Sequence, residues 1–258
     1  MDKTLSEIKK NIVRMAHYSH ASHVGSALSA VDLLYAIYAH FTNINKNNLN
    51  DVDRDKVILS KGHACIALYS VLAELGLMDK EKLNHYYIDG GVLPGHLDKD
   101  SVAGVDCSTG SLGHGLPIGI GMALVNPNRK VFVLMGDGET QEGSVWESFI
   151  FLGKHYFPNL TVIIDNNNLQ GFGTADEVAD YSRLCDTLNN FGLDCVEIDG
   201  HDFEQIEKAL SKETSKTKAI VAHTLKGHGV SYMENELKWH YKSPNDEELE
   251  VALKELET

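Results

Sequence analysis

Hydrophobic residues recur at helical spacing from the start of the chain: Leu5, Ile8, Ile12 and Met15 fall on one face and predict an amphipathic helix. A second helix is predicted over Ala30–Phe41, with Leu33, Leu34, Ile37 and Tyr38 turned inward. The asparagine-rich stretch NINKNNLN reads as a polar loop before a short strand at Val57–Leu59. A helix over Ala64–Leu75 follows, closed by Gly76. From Tyr87 to Gly115 the chain is rich in Gly, Asp, His and Ser and shows no period. So long an irregular stretch with few charges points to function. A helix through Gly119–Val125 then leads into the second half of the chain.

That second half alternates strand and helix. VFVLM, LTVII, CVEI and AIVAH are short runs rich in Val and Ile, separated by helix-length segments, and a last helix is predicted over Asp246–Leu256. Runs apolar on both faces predict parallel strands buried on both sides, hence a doubly wound, mostly parallel α/β sheet flanked by helices. With no internal repeat and no Pro- or Ser-rich linker, one domain is expected over residues 1–258. Ligands of such sheets sit beyond the carboxyl ends of the strands. The polar motifs gather there: VFVLM ends in Gly136-Asp137-Gly138, LTVII in Asp165-Asn166-Asn167-Asn168, and AIVAH in Thr224-Leu225-Lys226-Gly227-His228-Gly229.

Asp-Gly and Asn runs are common turn signals, so each motif alone is ordinary punctuation. Together they say more. Asp137 and Asn167 lie thirty residues apart, one strand-helix-strand unit, which places two oxygen ligands on neighbouring strand ends. One carboxylate, one amide oxygen and a backbone carbonyl form an incomplete cage that suits Mg2+ when ligand phosphates complete its octahedron. Gly138 lets backbone approach a phosphate, and a helix starting near Thr140 would aim N–H groups at it. Glu139 and Glu142 would repel that anion and are expected to point away.

Composition narrows the field. A formal charge of −14 argues against nucleic acid or an anionic membrane surface as partner, and any anionic substrate must meet local positive groups. Cys65, Cys107, Cys185 and Cys195 have no CxxC spacing, which predicts buried reduced thiols in a reducing compartment. The charged amphipathic N-terminus is unlike a signal peptide, and no apolar run approaches the ~20 residues of a membrane span. A cytoplasmic protein is expected.

Gly-Asp-Gly followed about thirty residues later by an Asn-bearing strand end resembles the thiamine-diphosphate signature, and several separate stretches resemble the first domain of transketolases. Ala21-Ser22-His23-Val24-Gly25 is similar to that family's SGHxG segment, and Leu59-Ser60-Lys61-Gly62-His63 to its LSxGH segment. Leu93-Pro94-Gly95-His96 resembles PGHP with Leu97 in place of proline, and Trp239-His240 resembles WHG with Tyr241 in place of glycine. Ser108–Gly115 resembles TTGPLGQG, with Ser111 and His114 departing from the usual Pro and Gln.

The resemblance implies thiamine diphosphate as cofactor, and Mg2+, Ca2+ or Mn2+ held by Asp137, Asn167 and the carbonyl of Leu169. It places Gly138 at the diphosphate and main-chain atoms of Gly110 and Leu112 at the aminopyrimidine. His23, His63, His96 and His240 become the catalytic set, His23 and His96 on substrate hydroxyls, His63 and His240 also against the diphosphate. Lys226 is a further positive group at the phosphates. The implied reaction moves a two-carbon ketol unit from a ketose to an aldose, typically sugar phosphates, and imidazoles suit its proton transfers near neutral pH.

Transketolases carry a second domain with the glutamate that acts on the aminopyrimidine and arginines that grip substrate phosphate. Nothing in this chain matches either, so an α2β2 assembly with a separate C-terminal transketolase subunit is expected. The alternatives are a relative such as a 1-deoxyxylulose-5-phosphate synthase-like enzyme, or a non-catalytic cofactor-binding protein. LSKGHACIALYSVL resembles transketolase rather than the synthase. A pyruvate-dehydrogenase-type alpha subunit shares the Gly-Asp-Gly signature without these histidines.

Overall fold

Five parallel strands, laid side by side in the order β1-β2-β3-β5-β4, form the centre of the protein. They are β1 (Lys56–Leu59), β2 (Val131–Gly136), β3 (Leu160–Asn166), β4 (Asp194–Asp199) and β5 (Lys218–His223). The structure is a computed structural model describing residues 2–179 and 182–257. Its helices are α1 (Lys3–Tyr18), α2 (Val24–Ala36), α3 (Cys65–Glu74), α4 (Gly115–Val125), α5 (Gly143–Lys154), the single turn α6 (Ala175–Val178), α7 (Leu184–Phe191), α8 (Phe203–Ser211) and α9 (Asp246–Glu255).

The period of two along each strand builds a core on both faces of the sheet. Val57, Leu59, Phe132, Leu134, Ile163 and Ile220 pack with α1, α2, α3 and α8. Ile58, Val133, Met135, Val162, Ile164 and Val221 pack with α4, α5 and α7 on the other face. β1, β2, β3 and β5 are therefore covered on both sides, as their apolar runs predict, whereas the edge strand β4 alternates and leaves Glu197 and Asp199 exposed. Register pairs Gly136 with Asp165 and Asp165 with Ala222, so β2, β3 and β5 end level and release their motifs at one rim.

Helix α2 departs from the sequence expectation. It starts at Val24 rather than Ala30, and a π-helical turn, Ile37–Phe41, continues it. All thirteen of its residues are buried, including Ser26, Ser29 and Asp32. A helix buried all round shows no amphipathic stripe, and its polar residues mimic a surface stretch. Val24–Phe41 is also the one described stretch apolar and long enough to cross a membrane, contrary to expectation, yet 83% of it is buried inside the fold. Two further helices differ. The one foreseen from Gly119 begins at Gly115, and the one foreseen near Thr140 is a single 3-10 turn, Gly138–Gln141, before α5 starts at Gly143. Cys65, Cys185 and Cys195 are buried free thiols as expected, whereas Cys107 is only half-buried.

Candidate active site at the carboxyl rim of the sheet

All the residues singled out in the sequence line one cleft of about 290 Å3: His23, His63, His96 and His240, Gly110 and Leu112, Asp137 and Gly138, Asn167 and Leu169, and Lys226. They come from separate parts of the chain. His23 caps the start of α2 in a left-handed conformation, φ 70°, uncommon for a residue other than glycine. Its amide donates to the carbonyl of His240 at 3.1 Å, joining the first segment to the last. Trp239, buried beside it, donates its indole N–H to the Tyr232 carbonyl and fixes the segment that carries His240.

The four imidazoles cluster. The ring of His23 lies 4.6 Å from His240, 5.1 Å from His63 and 6.1 Å from His96. His96 reaches this position because residue 110 is glycine. With φ 140° there, a Cβ would stand 2.9 Å from the His96 ring. Gly62 is equally constrained, since a Cβ would come within 2.6 Å of the Thr109 carbonyl carbon. The two glycines let the segment around Gly62 and the Thr109-Gly110 pair touch backbone to backbone.

Burial, then neighbouring His96, Lys226 and Lys61, holds His23 down at about 4. Burial, then Lys226, His23 and Lys61, holds His240 at about 3. His63 is likewise well below its ordinary value, by burial and by Lys61. These rings are neutral near pH 7, so each offers both a donor and an acceptor. The unfolded chain binds protons at these sites below about pH 6.5 while the folded chain does not, so stability falls as the pH drops through that range. The melting temperature of the unliganded protein should decrease from about pH 7.5 to about 5, and a His23→Gln/His240→Gln variant should show a shallower decline. Equal slopes for variant and parent in differential scanning calorimetry would contradict the assignment.

The carboxylates divide into satisfied and unsatisfied groups. Asp165 is fully buried, yet its carboxyl sits below the usual range, because Lys61 and bonds from Lys61, Thr224 and Ser29 outweigh burial. Lys61 pairs with it directly, the two side chains 2% and 0% exposed. Ser29 donates to it at 2.7 Å and receives the amide N–H of Asn167 at 3.3 Å. Glu139 corrects the expectation that it faces away. It is buried against the cleft, its carboxylate accepting from Ser60 and, at 2.9 Å, from the Gly113 amide. Burial pushes its carboxyl up despite those bonds. Glu139 thereby ties the end of β1, the 108–115 loop and the end of β2 together under the site. Glu142 is exposed, as expected.

Asp137 stands differently. Burial, then Asp165, raises its carboxyl above the usual range, and its Oδ2 is a buried oxygen with no hydrogen-bond partner. Its Oδ1 accepts the Gly138 N–H at 2.7 Å, so the 3-10 turn there turns its first amide back on the carboxylate instead of outward. Asn167 makes an Asx turn, its Oδ1 accepting from Leu169 at 3.1 Å, with Asn168 at φ 57°. The Leu169 carbonyl accepts from Lys226 Nζ at 2.9 Å, and the same ammonium lies 3.1 Å from His240 Nδ1. Burial and Lys61 lower Lys226 to about 8.

Sequence reasoning missed Ser26, Lys61, Glu139, Gln170, Phe172 and Tyr241 as lining residues. Lys61 and Glu139 sit inside motifs already singled out, so their place beside His63 and Gly138 was the available signal. Gln170 carries a buried Nε2 without a partner. Phe172 at the mouth is 92% exposed and Tyr241 59%.

Comparison with known proteins identifies the family. The family described as transketolase, thiamine diphosphate binding domain, matches residues 3–256. The chain is 38% identical over 213 residues to one subunit of the apulose-4-phosphate transketolase of Phocaeicola vulgatus, covering 80% of this chain and 75% of that one. It is 35% identical to the SqwG subunit of the 6-deoxy-6-sulfo-D-fructose transketolase of a Clostridium species, covering 80% and 77%. The crystal structure of transketolase from Campylobacter jejuni superposes with a TM-score of 0.88 at 28% identity, over 98% of this chain and 42% of that one. The chain therefore spans about two fifths of the length of that solved transketolase. It belongs to the transketolase family, as its thiamine-diphosphate-binding domain.

Proposed function

We propose that this chain is the N-terminal subunit of a two-chain transketolase, active with a C-terminal subunit in an α2β2 assembly of the cytoplasm. It would transfer a two-carbon ketol unit from a ketose to an aldose, sugar phosphates or related sugars. The unpartnered Asp137 Oδ2 beside four clustered imidazoles carries this reading.

The cleft's residues fit a diphosphate held with a divalent cation. Two buried ammonium groups, Lys61 and Lys226, face three buried carboxylates, Asp137, Glu139 and Asp165. When all are ionised the pocket is net negative, so a phosphate enters only with a cation. Asp137 Oδ2 is a free hard ligand, Asn167 Oδ1 has a remaining lone pair, and the Leu169 carbonyl is at present held by Lys226. An oxygen set of one carboxylate, one amide and one carbonyl suits Mg2+, with Ca2+ or Mn2+ as substitutes.

When bound, thiamine diphosphate would supply the carbon acid and electron sink that two-carbon transfer needs. The chain's own residues do the rest. Gly138 gives a diphosphate close access to backbone, Gly110 and Leu112 present main chain to the aminopyrimidine, and Lys226 offsets phosphate charge. His63 and His240 would flank the diphosphate, whereas His23 and His96 would meet substrate hydroxyls. Burial keeps the His23 imidazole neutral, so it can accept a hydrogen bond from a substrate hydroxyl.

The test separates the two kinds of histidine. His96→Ala should reduce turnover by about 10²–10⁴ while leaving cofactor affinity near that of the parent. His63→Ala should weaken cofactor binding instead. Co-expression with the partner, assay over a panel of ketose and aldose phosphates, and calorimetric titration with thiamine diphosphate would decide it. Identical cofactor affinities in both variants would refute the division of roles.

A further inference from the structure

A second group of ionisable side chains lies behind the cleft. Asp32 on α2, His201 after β4 and His228 after β5 bring ligand-type atoms within 4.8 Å of one another, a spacing that a metal could span. The hydrogen bonds argue otherwise. Lys9 of α1 places its ammonium 2.8 Å from Asp32 Oδ1 and 3.1 Å from His228 Nδ1, where a cation would sit. The backbone N–H of Leu225 donates to His201 Nε2 at 2.8 Å. That nitrogen must present a lone pair, so the proton of the neutral ring is on Nδ1, which lies 2.6 Å from Asp32 Oδ2 and donates to it. A metal on Nδ1 would remove this proton and set Nε2–H against another N–H. His228 stacks on His201 at 3.5 Å and 19°, holding the ring flat.

The relay ends next to the active site. Leu225 immediately precedes Lys226, whose ammonium reaches the Leu169 carbonyl and His240. The same turn is held by the Gly227 amide on the Gly25 carbonyl at 3.0 Å and the Asn235 amide on the Lys226 carbonyl at 2.9 Å. Ser26, Ser29 and Asp32 are spaced three apart along α2. That face carries in succession a cleft wall, the bond to Asp165, and the relay.

We propose that Asp32 and His201 are positioning residues: Asp32 locks His201 as its Nδ1–H tautomer, and His201 Nε2 pins the Leu225-Lys226 turn so that the Lys226 ammonium is held in the cleft. This rests on the cleft being the thiamine-diphosphate site. Tautomer choice in histidine is set by the partner of the other nitrogen, and an arrangement of this kind orients a charged group without touching the ligand.

Two measurements test it. Long-range 1H–15N correlation on the unliganded chain should show His201 with its proton on Nδ1; a proton on Nε2 would overturn the relay whatever the cleft binds. Calorimetric titration of the assembled enzyme with thiamine diphosphate and Mg2+ should show His201→Phe, which keeps a ring on His228 but no acceptor, binding about fivefold more weakly, the worth of one net hydrogen bond. His201→Asn, able to meet Asp32 but too short for Leu225, should lose as much. His201→Gln, whose Oε1 can replace Nε2, should bind within about twofold of the parent, well under the loss of one net hydrogen bond. In a Lys226→Met background His201→Phe should add no further loss. Parent-like affinity in both the Phe and Asn variants, failure of Gln to restore it, or additive losses with Lys226→Met would overturn the proposal. A parent enzyme that binds no thiamine diphosphate would instead refute the cofactor reading, leaving the tautomer measurement to judge the relay.

Discussion

Asp137→Ala is expected to abolish Mg2+-dependent binding of thiamine diphosphate. Even residues that only orient a metal ligand typically cost ~10–100-fold in affinity when removed, so the loss of the single carboxylate in this oxygen set should exceed about a hundredfold. The unliganded protein should respond in the opposite sense. Asp137 Oδ2 is buried without a partner and the carboxyl is raised by burial and by Asp165, so it opposes folding until a cation arrives. Removing it should leave the melting temperature of the unliganded chain unchanged or higher. Calorimetric titration with and without EDTA measures the first effect, and thermal unfolding without ligand the second. Retained affinity in the variant would show that the cation is held elsewhere. A large loss of unliganded stability would show that Asp137 is a structural residue.

The isolated chain is expected to show no ketol transfer from xylulose 5-phosphate to ribose 5-phosphate at saturating cofactor and Mg2+, and the C-terminal partner to restore it. Neither glutamate of the 138–142 turn can act on an aminopyrimidine at Gly110 and Leu112, because Glu139 is bonded beneath the site to Ser60 and Gly113, and Glu142 is exposed. Phe172 and Tyr241 stand exposed at the mouth, leaving one side of the cleft open to water, where a carbanion would be protonated. Apolar side chains also project from two adjacent helices: Leu124 and Val125 of α4, 64% and 80% exposed, and Ile150 and Phe151 of α5. The lone chain should therefore self-associate in analytical ultracentrifugation. Robust turnover without a partner would overturn the two-chain reading.

The strand-end logic was legible because strands buried on both faces, β2, β3 and β5, are written as uninterrupted apolar runs, after which any polar motif must lie at the rim. Asp137, Asn167 and Lys226 were found in this way, and the histidines through resemblance of short motifs. What escaped was the support beneath them. Lys61 and Asp165 form a buried pair whose partners are 104 positions apart in the chain; each lies in a motif singled out in the sequence, but nothing local shows that they pair. Glu139 was misjudged because like-charge repulsion was weighed without the hydroxyl and amides that satisfy it from distant segments. The start of α2 was missed for a related reason: Ser26 and Ser29 are polar residues buried in the interior, so the first turns show no amphipathic stripe.

The position of β5 bears on how the chain reaches this state. β5 is the last strand in sequence but lies between β3 and β4, which do not pair with each other. Until residue 223 has been synthesised, β3 exposes an unpaired edge and β4 has no neighbour, whatever the upstream helices have already formed. The same strand brings Thr224 to Asp165, completing the neutralisation of a carboxylate that Ser29 and Lys61 approach from much earlier in the chain. Sheet closure and satisfaction of the buried charge thus coincide in one late event. Collapse before that event leaves an unpaired strand edge and a poorly satisfied buried carboxylate, so the nascent chain should fold slowly and cooperatively and depend on protection from aggregation while it waits.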